Sequence, residues 1–397
     1  MNPKKSLQNL AKQAIKGKRV FLRADLNVPI QRGVIKDDER IIASLPTIQY
    51  LTSCGAKVIL SSHLGRPHGQ VVEALRLNPI AERLSSYLKI PIQKADSCVG
   101  PEIEEKVSQL KEGDVLLLEN IRFYSEESEN DPEFAKKLAD LADIYVQDAF
   151  GTSHRNHAST AGIAHYLPAY AGLLMMKELD CFDSLLTQPK HPFVAIIGGA
   201  KISTKIGVIK KLLPIVDVVI IGGAMAFTFL KAKGYEIGKS LVDNDKLEEA
   251  RDILNAVDKA RVRFILPLDQ VVVPSFDQAD DKQIVDITQI SADKMGVDIG
   301  PKTVKEIGHA LTGAKTIFWN GPMGAFEVDA YSYGTVQVAK LLAKSDSITV
   351  VGGGDSISAI KLSKLEDQMT HLSTGGGASL AILSGQSLPG IAILEEK

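Results

Sequence analysis

Short apolar runs punctuate the chain: Val20-Phe21-Leu22, Val58-Ile59-Leu60, Val115 to Leu118, Ile144-Tyr145-Val146, Val194 to Ile197, Val218 to Ile221, Phe264-Ile265-Leu266, Ile317-Phe318-Trp319 and Ile348 to Val351. Stretches with helical spacing separate them. Alternation of β and α on this scale predicts parallel sheets covered by helices on both faces. Ligands of such sheets collect at the carboxyl ends of the strands, so the residues after each run are the candidates for function.

Those residues differ between the two halves. After the early runs come side chains: Arg23, Asp25 and Asn27, then His63 and Arg66, then Arg122, then Asp148, His154, Arg155 and His157. After the later runs come glycines: Gly198-Gly199-Ala200-Lys201, Gly222-Gly223, Asn320-Gly321-Pro322, Gly352-Gly353-Gly354-Asp355 and Gly375-Gly376-Gly377. Pro168 and Gly172 precede a helical stretch near Leu179, and Pro189 and Pro192 mark a second break. The expected fold is α/β: two doubly wound parallel-sheet (Rossmann-like) domains joined by a hinge helix. The first spans 1–170; the second, with the connecting helix, spans 171–385.

Composition narrows the class. At 397 residues, with 45% apolar and 24% charged positions, the chain has the make-up of a folded globular protein. A net charge of -2 gives no reason to expect nucleic acid, which usually demands a strongly basic face, so any anion site must be local. No window approaches the roughly 18 unbroken apolar residues of a membrane span. Lys4 to Lys18 is basic, lacks an apolar core and reads as a surface helix. Cys54, Cys98 and Cys181 form no C-x-x-C pair, which favours a reducing, cytoplasmic setting over a disulfide or zinc framework.

In the first half, Arg23, Asp25 and Asn27 alternate with Ala24, Leu26 and Val28, and period-2 geometry sends the polar three to one face. Alone, this segment reads as an edge strand with a local Arg-Asp pair. The arginines that follow change the picture. Guanidinium groups suit phosphate and carboxylate oxygens, and several converging on one sheet edge are costly without an anion between them. His154 and His157 stand at i, i+3 but lack a third metal ligand at recognisable spacing.

In the second half, Gly198 to Lys205 reads as a strand, a glycine turn and a helix start, with Lys201 and Lys205 on one helical face. The sequence contains neither G-x-x-x-x-G-K-[ST] nor a dinucleotide fingerprint with its distal acid. Asp355 after three glycines is either a helix N-cap or a hard oxygen ligand for nucleotide-bound magnesium. Glu327 can accept hydrogen bonds from a ribose.

Arg23-Ala24-Asp25-Leu26-Asn27-Val28-Pro29, Ser62 to Pro67, Leu118 to Phe123, Asp148 to Thr152, Gly198 to Lys201, Trp319 to Pro322, Gly353-Gly354-Asp355 and Ser373 to Ser379 together resemble the phosphoglycerate kinase family, in order and over nearly the whole chain. The resemblance implies reversible phosphoryl transfer between ATP and the carboxylate of 3-phosphoglycerate, giving 1,3-bisphosphoglycerate and ADP, in glycolysis and gluconeogenesis. It implies that Arg23, Asp25, Asn27, Arg40, His63, Arg66, Arg122 and Arg155 bind 3-phosphoglycerate. Lys201, Lys205, Gly222, Asn320, Glu327, Gly353, Gly354, Asp355 and Ser356 would bind the nucleotide, with Asp355 on Mg2+. Arg40, Lys201, Gly375 and Gly376 would act on the phosphoryl in flight. A monomer is expected, with the tail at 386–397 returning to the first domain. Ala381 to Gln386 departs from the family's acidic pattern there.

A carboxylate acceptor is already ionised at neutral pH, so no general base is required, and catalysis would rest on alignment and charge neutralisation. A dehydrogenase would need the missing dinucleotide fingerprint. A non-catalytic sugar-phosphate sensor could keep the arginines and glycines, but has no need of both Lys201 and Asp355.

Overall fold

In the computed structural model, which describes residues 3–397, every apolar run named above forms a strand. The chain divides into two compact units, Met1–Asp180 with Ser387–Lys397, and Cys181–Gln386. The division falls inside the helix Leu173–Thr187.

The first unit holds β1 (Arg19–Arg23), β2 (Lys57–Ser61), β3 (Ile92–Lys94), β4 (Val115–Leu117), β5 (Ile144–Gln147) and β6 (Ala169–Ala171). They form one parallel six-stranded sheet in the order β3-β4-β2-β1-β5-β6. Val20, Phe21 and Leu22 of β1 are wholly buried, as a central strand covered on both faces requires. Register aligns Arg23 with Ser61 on one side and Gln147 on the other, so the chain leaves three adjacent strands at one level.

The second unit holds β7 (Phe193–Ile197), β8 (Val218–Ile221), β9 (Arg263–Ile265), β10 (Asp269–Val273), β11 (Gln283–Asp286), β12 (Met295–Ile299), β13 (Thr316–Asn320), β14 (Ile348–Gly352) and β15 (His371–Leu372). Six of these form a parallel sheet in the order β9-β8-β7-β13-β14-β15, so both units have the parallel-sheet α/β architecture expected. An antiparallel β11-β10-β12 sheet adds to the expected architecture. In each large sheet the connections reverse direction once, between β1 and β5 and between β7 and β13, and such switch points open a crevice at the strand ends.

Two local expectations change. Lys4 to Lys18 is not one surface helix, because Lys5 pairs its backbone with Glu395 and Ala171, leaving only Lys12–Ile15 as α-helix. Asp148 does not join the basic cluster. Its carboxylate accepts the Met175 N–H at 3.1 Å and so caps the helix Leu173–Thr187, whose Leu173 N–H is held by Thr47. Burial pushes the Asp148 carboxyl up to about 6, and a Cβ on Gly172 would stand 2.1 Å from its oxygen. The tail is anchored by Gly390 N–H on the Ser153 carbonyl, with Leu388, Ile391 and Leu394 buried. Ser384, in the segment that departs from the family pattern, lies where a Cβ on Gly207 would approach it to 3.0 Å, so glycine admits this helix contact.

Candidate functional site

β1 ends at Arg23, and Asp25 and Asn27 follow in the loop rather than on the strand. Asp25 is buried and lies 3.3 Å from the Arg40 guanidinium, which also donates to the Asn27 carbonyl at 2.9 Å. Arg40 sits in the first turn of the helix Glu39–Ser53 and remains partly exposed. The Asn27 amide oxygen accepts the Gly65 N–H at 2.9 Å, and the Gly65 carbonyl accepts Arg122 Nη1 at 2.8 Å. Asp25, Asn27, Arg40 and the loop after β2 are thereby one connected surface.

Beside it lies a cavity of about 390 Å³ lined by Arg66, His68, Arg122, Ser128, Arg155 and His157, three arginines and two histidines without a carboxylate. Arg122 Nη2 is buried and has no hydrogen-bond partner. Burial pushes Arg155 below the usual guanidinium range, with Arg66, Arg23 and Arg40 adding to the effect and Asp25 opposing it. Burial first, then Arg23, Arg155 and Arg40, holds His63 well below the ordinary imidazole value. Unbalanced positive charge of this kind is an anion receptor. His68 and Ser128 carry no motif visible in the sequence; they reach the cavity only through the fold.

Arg23 is different. It is buried beneath this surface, with Nε on Ser159, Nη1 on the Ala24 carbonyl and Nη2 against His63. It lies within the strand, where the side chain faces the interior, so it supports the site from below instead of lining it.

In the second unit the loops after β7 and β13 abut at the switch point. Gly198 N–H donates to the Asn320 carbonyl at 2.8 Å and Gly199 N–H to the Pro322 carbonyl at 2.9 Å. A Cβ on Gly198 would stand 2.2 Å from the Pro322 oxygen, and Gly321, at φ 93°, would place one 2.2 Å from the Gly198 oxygen. Only glycine permits this approach. A cavity of about 190 Å³ opens here, lined by Gly199, Gly223, Leu241, Phe276, Gly296 and Pro322, with Glu327 and Asp355 also on its wall.

Several expected nucleotide residues hold this scaffold from behind. Gly222 is buried against Met323, and its neighbour Gly223 lines the cavity. Asn320 is fully buried, accepting from Lys205 Nζ and donating to the Gly352 carbonyl at 2.8 Å. Ser356 Oγ accepts the Gly321 N–H at 2.6 Å. Lys201 and Lys205 do not share a helical face, because Ile202–Thr204 is a 3-10 turn and the α-helix starts at Ile206. Lys201 is exposed, whereas Lys205 is buried and its ammonium is pushed down to about 8 by burial, with Asp355 opposing.

Gly353, at φ 95°, caps the helix Gly354–Leu362, so Asp355 is not the cap; it lies exposed in the first turn without a side-chain capping bond. Gly375 occupies the cap position of the helix Gly376–Leu383 and donates its N–H to Ser373 Oγ at 3.2 Å. Among the described residues no helix is long and apolar enough to cross a membrane.

Known proteins resemble this chain over nearly its whole length. The family model for phosphoglycerate kinase matches residues 10–386. A phosphoglycerate kinase of Dictyoglomus turgidum is 55% identical over 395 residues, covering 99% of this chain and 100% of the relative. A chloroplastic phosphoglycerate kinase of Volvox carteri is 52% identical, covering 99% and 87%. The solved structure of phosphoglycerate kinase from Coxiella burnetii aligns with a TM-score of 0.87 at 40% identity, covering 98% of each chain. The arginine pocket, the glycine-lined cavity and these likenesses have one reading: the chain belongs to the phosphoglycerate kinase family.

Proposed function

We propose that 3-phosphoglycerate binds in the first unit, through Asp25, Asn27, Arg40, His63, Arg66, Arg122 and Arg155, and that the nucleotide binds in the second, through Lys201, Lys205, Gly353, Gly354, Asp355 and Glu327. The chain is a phosphotransferase, moving a phosphoryl group between ATP and the carboxylate of 3-phosphoglycerate. The observation that carries the site assignment is the arginine cavity without a carboxylate at the strand ends of the first sheet. A coupled assay with 3-phosphoglycerate and Mg-ATP tests the activity. Turnover should be seen only with both ligands present, and its absence with both bound would overturn this assignment of the two half-sites.

The acceptor needs no deprotonation, so the side chains bind, orient and neutralise. Arg40 holds the carboxylate edge of the substrate, and Lys201 with the Gly375-Gly376 helix start meets the charge on the phosphoryl. Gly222, Asn320 and Ser356 act by shaping the turn that receives the nucleotide. Asp355 fits magnesium, being an exposed hard oxygen donor that no cap consumes. Magnesium, when bound with the nucleotide, neutralises phosphate oxygens. Asp355→Asn should therefore raise the magnesium concentration needed for half-maximal rate about tenfold or more, while helix stability changes little. An unchanged magnesium titration would remove the metal role.

In-line transfer needs reacting atoms about 3 to 3.5 Å apart, and each unit holds only one of the two half-sites. We place the transfer after a domain closure driven by both ligands together, since one ligand alone has little differential affinity for a closed form. Small-angle scattering should show the largest fall in radius of gyration with 3-phosphoglycerate and a non-hydrolysable ATP analogue both present; no change with the pair would rule the closure out. One copy of the chain supplies both half-sites, so a monomer suffices. The free cysteines suit a cytoplasmic, reducing location, and the small net charge offers nothing to nucleic acid.

A further inference from the structure

We infer that Glu127 and Ser159 are positioning residues which, acting through Arg23, hold His63 as the neutral tautomer protonated on Nε2, so that it meets the substrate as a hydrogen-bond donor. This deepens the reading that His63 binds 3-phosphoglycerate and rests on it. Neither Glu127 nor Ser159 belongs to any motif that pointed to the site.

The argument is one of donor and acceptor polarity. Glu127, in the short helix Ser125–Glu129, is fully buried. Its carboxylate accepts Ser159 N–H at 2.8 Å and Ser159 Oγ–H at 2.7 Å. A carboxylate here can only accept, so the hydroxyl proton points at Glu127 and an oxygen lone pair is left for Arg23 Nε–H, 2.9 Å away. Arginine in turn can only donate. Its Nη2 lies 3.2 Å from His63 Nδ1, which must then be the acceptor, and a neutral imidazole with an accepting Nδ1 carries its proton on Nε2.

The charges facing His63 agree with that state. Arg23, Arg155, Arg40 and His157 disfavour the imidazolium, and burial disfavours it most. Asp25 is the one carboxylate that would call for a proton on Nδ1, but its oxygen stands 3.9 Å away, beyond hydrogen-bonding reach. Glu127 also offsets the buried Arg23 charge and stands 3.6 Å from His157 Nδ1, a lining residue of the anion cavity. A neutral histidine serves an anion receptor as an N–H donor; Arg23, held in place through Ser159 and Glu127, sets that direction before substrate arrives.

The test is ¹⁵N NMR of the full chain labelled at histidine, with His63 assigned by His63→Gln, alongside steady-state kinetics. In the wild type at neutral pH, His63 should be neutral and protonated on Nε2. Glu127→Gln removes the charge that offsets Arg23 and the acceptor that fixes the Ser159 hydroxyl, so Arg23 Nη2 should no longer be held against His63 Nδ1, and His63 should enter exchange between tautomers. KM for 3-phosphoglycerate should then rise about tenfold, the scale of one hydrogen bond to a charged group, with kcat changing much less. If that variant does not fold, Ser159→Ala removes the oxygen that anchors Arg23 Nε while leaving the carboxylate, with the same expectation, and Ser159→Thr should keep the wild-type tautomer. A wild-type His63 protonated on Nδ1, or on both nitrogens, overturns the inference, as does a folded Ser159→Ala chain with an unchanged His63 spectrum. Absence of 3-phosphoglycerate binding in the wild type would instead sink the underlying site reading, and the His63 tautomer would still be measured.

Discussion

Replacing Lys201 by alanine should lower kcat by about 10²- to 10³-fold, the usual loss for one preorganised charge partner of a transition state, while KM for ATP changes by less than about threefold. The two lysines of the glycine turn are separated by their surroundings. Lys205 is buried, tied to Asn320, and its ammonium is depressed to about 8. Beside its proposed contact with the nucleotide it braces the resting turn, and its removal would leave the Asn320 oxygen without that donor. Lys201 stands exposed at the start of the 3-10 turn, next to Gly199 and Ala200 of the cavity wall. An exposed lysine of this kind can follow a moving phosphoryl without disturbing the fold. Equal losses in kcat and in ATP affinity would mean uniform binding of ground and transition states, and the transition-state role would fall.

The sequence made the strand pattern legible because central parallel strands, buried on both faces, leave uninterrupted apolar runs such as Val194 to Ile197. The edge strand Ala169–Ala171 carries no such signal, being short and small, and β10 to β12 pair antiparallel in a way that no local pattern announces. The site divides along the same line. Residues after strand ends were visible as candidates, but whether each faces the ligand or braces the loop depends on tertiary contacts. Arg23, Asn320 and Ser356 all sit in recognisable motifs and all turn inward. Glu127, in contrast, looks like one acid among several between Ser125 and Glu129, and only burial against Ser159 distinguishes it. Asp148 looked like a polar strand end, yet it caps a helix that begins more than twenty residues later in the sequence.

Arg40→Ala should lower kcat by about 10²- to 10³-fold and should also shift the pH dependence of the enzyme. Arg40 does two things at once. It leaves part of its guanidinium exposed for an anion, and it neutralises the buried Asp25 carboxylate at 3.3 Å. Its charge is also among those that hold His63 below the ordinary imidazole value. Removing it leaves Asp25 as the nearest charged group free of a strong partner, 3.9 Å from His63 Nδ1. The sign follows: a repelling cation is lost and an attracting anion is unmasked, so the His63 pKa rises and more imidazolium forms as pH falls toward 6. In the variant, KM for 3-phosphoglycerate should thus become pH-dependent in a range where the wild type is flat. Arg40→Lys should recover the electrostatic part, returning the pH profile toward wild type, but little of kcat, since an ammonium cannot reproduce the planar fork that grips a carboxylate. A variant with kcat intact and only KM raised would make Arg40 a substrate clamp with no part in the transfer itself; one with an unchanged pH profile would show that Asp25 and His63 are not coupled through it.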